Sequence, residues 1–93
     1  MTSEIKAAVE RGVQVLQAFG AKEIYLFGSA AKDQCHADSD LDFAVSGLPP
    51  RKFYTAVARA MWAVGEPIDV VDLDLATPFT EYLRGGKELV RVG

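Results

Sequence analysis

The chain has 93 residues, 49% of them hydrophobic and 25% charged, with a formal net charge of −3 and a single cysteine. That length holds one domain, residues 1–93, which buries only somewhat more than half of its unfolded surface and so leans towards a partner. The charge balance, with no basic block, speaks against a sequence-independent grip on nucleic acid. No apolar run reaches a membrane span, and MTSEIKAAVERG is not a signal peptide, so a cytoplasmic setting is expected, which the lone Cys35 fits.

In chain order, Ile5, Val9, Gly12 or Val13, Leu16 and Phe19 recur at helical spacing and predict an amphipathic helix over Ser3 to Phe19. Thr2 or Ser3 caps it, and Gly20 suits a left-handed stop. Glu23 to Phe27 reads as a first strand that delivers Gly28 and Ser29 at its end. Ala30, Ala31 and Lys32 suit the first turn of a short helix, and 33–39 (DQCHADS) reads as a loop. Cys35 and His36 are neighbours there, but with no second Cys or His they cannot close a typical zinc site. Asp33 and Asp38 read as solvated loop carboxylates.

Asp40 to Val45 predicts a second strand, ended by Ser46 to Pro49. Pro50 opens a helix running to Val64 with Phe53, Val57, Ala60 or Met61, and Val64 on its buried stripe. Tyr54 and Trp62 fall off that stripe, as edge residues or as partner contacts, and Arg51, Lys52 and Arg59 read as a solvated face. Gly65 closes the helix. Ile68 to Leu73 predicts a third strand, Thr77 and Pro78 cap and start a last helix that Gly85 and Gly86 break, and Lys87 to Val92 alternates like a short final strand. The elements describe an α/β domain with a small mixed sheet, helices packed on one face and the other face open.

The stretch that concentrates chemistry is Phe27 to Val45, FGSAAKDQCHADSDLDFAV. Side chains alternate along a strand, so Asp40, Asp42 and Ala44 share one face and Leu41, Phe43 and Val45 the other. Two carboxylates about 4 Å apart repel by on the order of 4 kcal/mol at an effective dielectric near 20, and a divalent cation relieves that repulsion. An oxygen-only donor set, completed by water and phosphate, suits Mg²⁺ better than Zn²⁺. Gly28 lets a phosphate approach the backbone, Ser29 adds a hydroxyl donor, and Lys32 lies on the same side of the following turn. Asp69, in the third strand, supplies a further carboxylate. Only one of Asp69 and Asp72 faces the metal if that strand is regular, and a bulge would reverse the choice.

GSAAKDQCHADSDLDFAV, together with the later PIDVVDL, resembles the minimal nucleotidyltransferases of the DNA polymerase β superfamily. The resemblance runs from about Ile5 to Val92. In size and order of elements it is similar to the antitoxins encoded beside HEPN-domain toxins. It implies the minimal nucleotidyltransferase fold, with Asp40, Asp42 and Asp69 as catalytic and metal-holding residues around two Mg²⁺ ions. It also implies Gly28 and Ser29, with Lys32, as the phosphate-binding group. Asp69 takes the third carboxylate position, which helps accept the proton of the attacking hydroxyl.

The activity implied is transfer of AMP from ATP to a tyrosine of a HEPN-type ribonuclease toxin. Two other readings follow from the same residues: an antitoxin with an idle site that neutralises by binding, and a nucleotidyltransferase acting on a small molecule. The intact Gly28, Ser29, Asp40, Asp42 and Asp69 set speaks against an idle site, and so short a chain offers no acceptor pocket. Many relatives carry basic residues, often arginine, just after the glycine-serine pair, where this chain has Lys32. A homodimer is left open by the aromatics Tyr54, Trp62, Phe79 and Tyr82.

Overall fold

The computed structural model describes residues 3–28, 41–85 and 89–93. Its elements are α1 (Ser3–Ala18), β1 (Glu23–Phe27), β2 (Leu41–Ser46), α2 (Pro50–Val64), β3 (Ile68–Asp72), α3 (Pro78–Gly85) and β4 (Val90–Arg91). The strands form one mixed sheet in the order β3-β2-β1-β4. β1 runs antiparallel to both β2 and β4, while β2 and β3 are parallel and joined through α2. A parallel pair cannot be closed by a hairpin, and the α2 crossover supplies the needed length.

Local sequence chemistry sets these boundaries. α2 begins at Pro50, where the missing N–H costs nothing, and closes at Gly65, whose N–H donates to Met61 O at 3.0 Å. Arg11 on α1 reaches across to the last turn of α2, its Nε donating to Ala63 O at 2.9 Å and its Nη2 to Val64 O at 3.4 Å. Two carbonyls left without helical partners are thereby satisfied, and the two helices are tied together. At α3, Thr80 N–H donates to Thr77 Oγ1 at 3.1 Å and Thr77 N–H to Thr80 Oγ1 at 3.0 Å, a reciprocal cap just ahead of Pro78.

The main core lies between the α1/α2 layer and one face of the sheet. Leu16, Ile24, Leu26, Leu41, Phe43 and Val45 are completely or almost completely buried there, with Ala56, Ala60 and Val64 presented by α2. A methyl built on Gly12 would stand 3.0 Å from the Phe43 ring and 3.2 Å from Val64, so the absent side chain is what lets α1 sit this close. Met61, one option for the α2 stripe, is exposed, and Ala60 takes the buried position.

The mixed sheet and the packing of the two long helices on one face are as the pattern implies. The opposite face is not wholly open. A smaller cluster of Ala44, Leu73 and Leu83, with Tyr25, Phe27 and Val71 against it, carries α3 onto that side. Arg84 on α3 holds the seat by donating from Nε and Nη2 to Leu73 O at 3.2 and 2.8 Å. The Thr2 cap, the short helix at Ala30 to Lys32, the loop 33–39 and the break at Gly86 lie outside the described residues. The final strand is two residues, Val90–Arg91, within the expected 87–92 segment.

Candidate active site

The sheet register brings together three positions from separate strands. Phe27, the last residue of β1, is the Cα partner of Asp42, and Asp42 is in turn the partner of Asp69 across the parallel β2–β3 ladder. Adjacent strands lie about 4.8 Å apart, so Asp42 and Asp69 are side-by-side neighbours on one face. That face carries Tyr25, Phe27, Ala44 and Val71 and lies opposite the α1/α2 core. Asp42 is half-buried and Asp69 exposed, at the end of the sheet where β1 finishes and β2 and β3 begin.

Gly28 follows β1 and lies against Asp42. Its φ is +69°, in the left-handed region, and a methyl built on it would stand 2.6 Å from Asp42 Oδ2. The carboxylate of Asp42 therefore lies against the backbone of Gly28, a closeness that only glycine allows. The glycine expected to admit a phosphate near the chain is the one that touches a metal-ligand candidate.

β3 is regular from Ile68 to Asp72, so Asp69 shares the face of Asp42 and Asp72 does not. Asp72 falls on the other face, is 8% exposed, and accepts from Asp74 N–H at 2.9 Å as part of the turn that ends the strand. Asp72 shapes that turn. Ser29, Lys32 and Asp40 lie outside the described residues.

The donor chemistry suits a hard cation. Among the described residues no group of three His, Cys, Asp or Glu side chains converges on one point. Asp42 and Asp69 make a pair, and Asp40, the remaining carboxylate of the pattern, is outside the described residues. An oxygen-only set of carboxylates, with the shell completed by water and phosphate oxygens, fits Mg²⁺.

Two features around the site were not anticipated. Phe79, at the start of α3, packs edge-on against Phe27 with ring centroids 6.0 Å apart, so α3 walls one side of the acidic face. The Thr80 and Leu83 spacing marks the buried side of α3 but carries no mark of which sheet face receives it. The second feature is Asp74, which accepts from Gly47 N–H at 2.8 Å and Ser46 Oγ at 2.9 Å. These two bonds, the backbone one first, hold its carboxyl below the usual carboxylate range, with Arg84 and Lys22 adding to the effect. Asp74 thereby ties the β3–α3 connection to the end of β2.

A family model, Polymerase beta, Nucleotidyltransferase, matches residues 10–91. Among solved structures, one described as a minimal nucleotidyltransferase superposes with a TM-score of 0.73 at 25% identity, covering 95% of this chain and 92% of that one. A toxin–antitoxin crystal structure with AMP-PNP gives 0.71 at 21% identity, over 97% of this chain and 72% of that one. A structure of tri-AMPylated Shewanella oneidensis HEPN toxin in complex with MNT antitoxin gives 0.64 at 20% identity, over 95% and 70%. At those last two identities the likeness is one of fold. No curated protein matches the chain.

Proposed function

The chain belongs to the polymerase β nucleotidyltransferase family, and from that premise we propose that it is an antitoxin that transfers AMP from ATP to a tyrosine hydroxyl of a HEPN-type toxin. The observation that carries the reading is the Gly28–Asp42–Asp69 arrangement: a glycine backbone against one carboxylate, and a second carboxylate beside it in register. The structural neighbours that include a toxin–antitoxin structure with AMP-PNP and an AMPylated HEPN toxin with an MNT antitoxin point the same way.

In this reading Asp40, Asp42 and Asp69 hold Mg²⁺, which supplies charge neutralisation on the triphosphate and lowers the pKa of the acceptor hydroxyl. Gly28 and Ser29, with Lys32 beside them, bind the β and γ phosphates and aim the α-phosphorus at the acceptor. The tyrosine oxygen attacks that phosphorus, a new O–P bond forms, the bond to the bridging oxygen breaks, and pyrophosphate leaves. Asp69 takes the hydroxyl proton. Such a transfer asks mainly for positioning and charge compensation, which a sparse set of carboxylates supplies.

The test is intact mass spectrometry of the neighbouring gene's product, after incubation with the chain, Mg²⁺ and a mixture of nucleoside triphosphates. A gain of one or more AMP units is the expected result. An unchanged mass with a stable complex would assign neutralisation to binding alone, and a gain of a different nucleotide would correct the donor.

A further inference from the structure

Among the described residues no other element covers the outward side of α2, where Tyr54 meets Phe53 of the same helix edge-on at 5.6 Å, and its residues are arranged to meet themselves. Ala56, Ala60 and Val64 face the core. At 100° per residue the opposite stripe is Arg51, Thr55, Ala58 and Trp62, with Tyr54 and Met61 alongside. Tyr54 is 84% exposed and Trp62 78%, far more than large aromatics on a helix ordinarily show. Beside the stripe an open groove of about 620 Å³ runs past Val57, Met61 and Trp62 to Pro67.

The stripe is symmetric about Ala58. Tyr54 stands four residues before it and Trp62 four after, while Arg51 stands seven before and Glu66 eight after. An antiparallel copy of α2 crossing at Ala58 therefore sets Tyr54 against Trp62 of the second copy, twice, and Arg51 against Glu66, twice. The alanine at the axis lets the two helices come close, as helix packing at 8–10 Å requires.

Charge follows the same symmetry. α2 carries Arg51, Lys52 and Arg59 and no acidic residue, although the whole chain is at −3. Its first turn is cationic, where the helix dipole disfavours positive charge. In the antiparallel pair those cations come to the end of the other helix that carries Glu66. The area is sufficient as well. Four aromatic side chains burying about 150–250 Å² each contribute on the order of 600–1,000 Å², and Ala58, Met61 and the groove wall carry the contact past the roughly 1,000 Å² of a specific interface.

We propose that α2 is the face of a two-fold homodimer centred on Ala58, with Tyr54 and Trp62 as the paired anchors and Arg51 to Glu66 as the flanking ion pairs. The acidic face lies on the far side of the sheet, so both Asp42–Asp69 sites stay open in the dimer. This inference is independent of the transfer reaction.

Sedimentation equilibrium on the isolated full chain tests it. The mass should rise from 10.1 kDa towards twice that value with concentration, and the emission of the single tryptophan, Trp62, should shift to the blue in step as it leaves water. Ala58→Lys, which sets two cations on the axis, and Trp62→Ser should each weaken association at least tenfold with an unchanged circular-dichroism spectrum. Arg51→Glu alone and Glu66→Arg alone should weaken it, and the double exchange should restore it. A chain that remains monomeric to roughly 1 mM overturns the proposal. So does a dimer indifferent to Ala58→Lys and Trp62→Ser, or a charge exchange that fails to rescue.

Discussion

Gly28 and Asp42 leave no room for a methyl group between them: a Cβ on Gly28 would stand 2.6 Å from Asp42 Oδ2, at a φ of +69°. Two separate costs follow for Gly28→Ala. A side chain in the left-handed region destabilises the fold by about 1 kcal/mol. The second cost falls on the site, because the added methyl would displace the Asp42 carboxylate from its place against Gly28. The expected outcome is a thermal midpoint lowered by about 4–8 °C, with transferase activity reduced far beyond that, by a hundredfold or more. Activity that falls only in proportion to the folded fraction would show that the position of Asp42 is not critical.

Asp42 and Asp69 give a prediction in which stability and activity move in opposite directions. Like charges on directly neighbouring strand positions destabilise a sheet by roughly 0.2–1 kcal/mol. Asp69→Asn should therefore raise the melting temperature of the metal-free protein slightly while lowering transfer at least a hundredfold. Millimolar Mg²⁺ should raise the midpoint of the original chain by linkage, since it binds only the folded state, and leave that of Asp69→Asn almost unmoved. Melting curves with Mg²⁺ and with a chelator check both halves. An equal Mg²⁺ response in the two proteins would remove Asp69 from the metal site.

How much of this was legible beforehand differs from element to element for physical reasons. α2 was readable to its ends because Pro50 and Gly65 act through their own backbones, without tertiary help. β1 was readable because five residues, EIYLF, alternate between a glycine-led turn and Gly28. That only one of Asp69 and Asp72 could share the face of Asp42 was readable as parity, but the choice between them rested on the resemblance, and it is the register of β2 and β3 that sets Asp69 beside Asp42. The seat of α3 was not. Its two turns show a buried side through Thr80 and Leu83, but the choice of sheet face depends on Phe27, Ala44 and Leu73, which belong to three distant segments. The contact between Gly28 and Asp42 was hidden likewise, because it depends on strand register, which no single segment encodes.

The reciprocal cap of Thr77 and Thr80 bears on the wall of the site. Thr77 Oγ1 accepts from Thr80 N–H at 3.1 Å, and the buried Thr80 hydroxyl donates to Leu75 O. Thr77→Ala leaves a helix-terminal N–H without its acceptor and should cost about 1 kcal/mol, whereas Thr77→Ser should cost almost nothing. Because α3 carries Phe79 onto Phe27, the loosened helix should also show faster amide exchange through residues 78–85 than through α2. Equal melting points for the Ala and Ser variants would argue against the cap.

Asp74 makes the stability of the chain depend on acid in a definite direction. The Gly47 N–H and the Ser46 hydroxyl hold its folded-state pKa below the ordinary value, and Arg84 lies 3.9 Å away. A carboxylate depressed in the folded state contributes stability that is fully present above its unfolded pKa of about 3.9 and is lost as the pH falls through the folded value. The group is about half exposed, so solvent screening reduces the contribution to well below that of a buried pair. Asp74→Ala should therefore lower the urea midpoint near pH 7, where the original carboxylate accepts both bonds. The gap between the two proteins should then narrow steadily as the pH is taken from about 4 towards 2. A gap that stays constant over that range would mean that Asp74 acts through the shape of the turn and not through its charge.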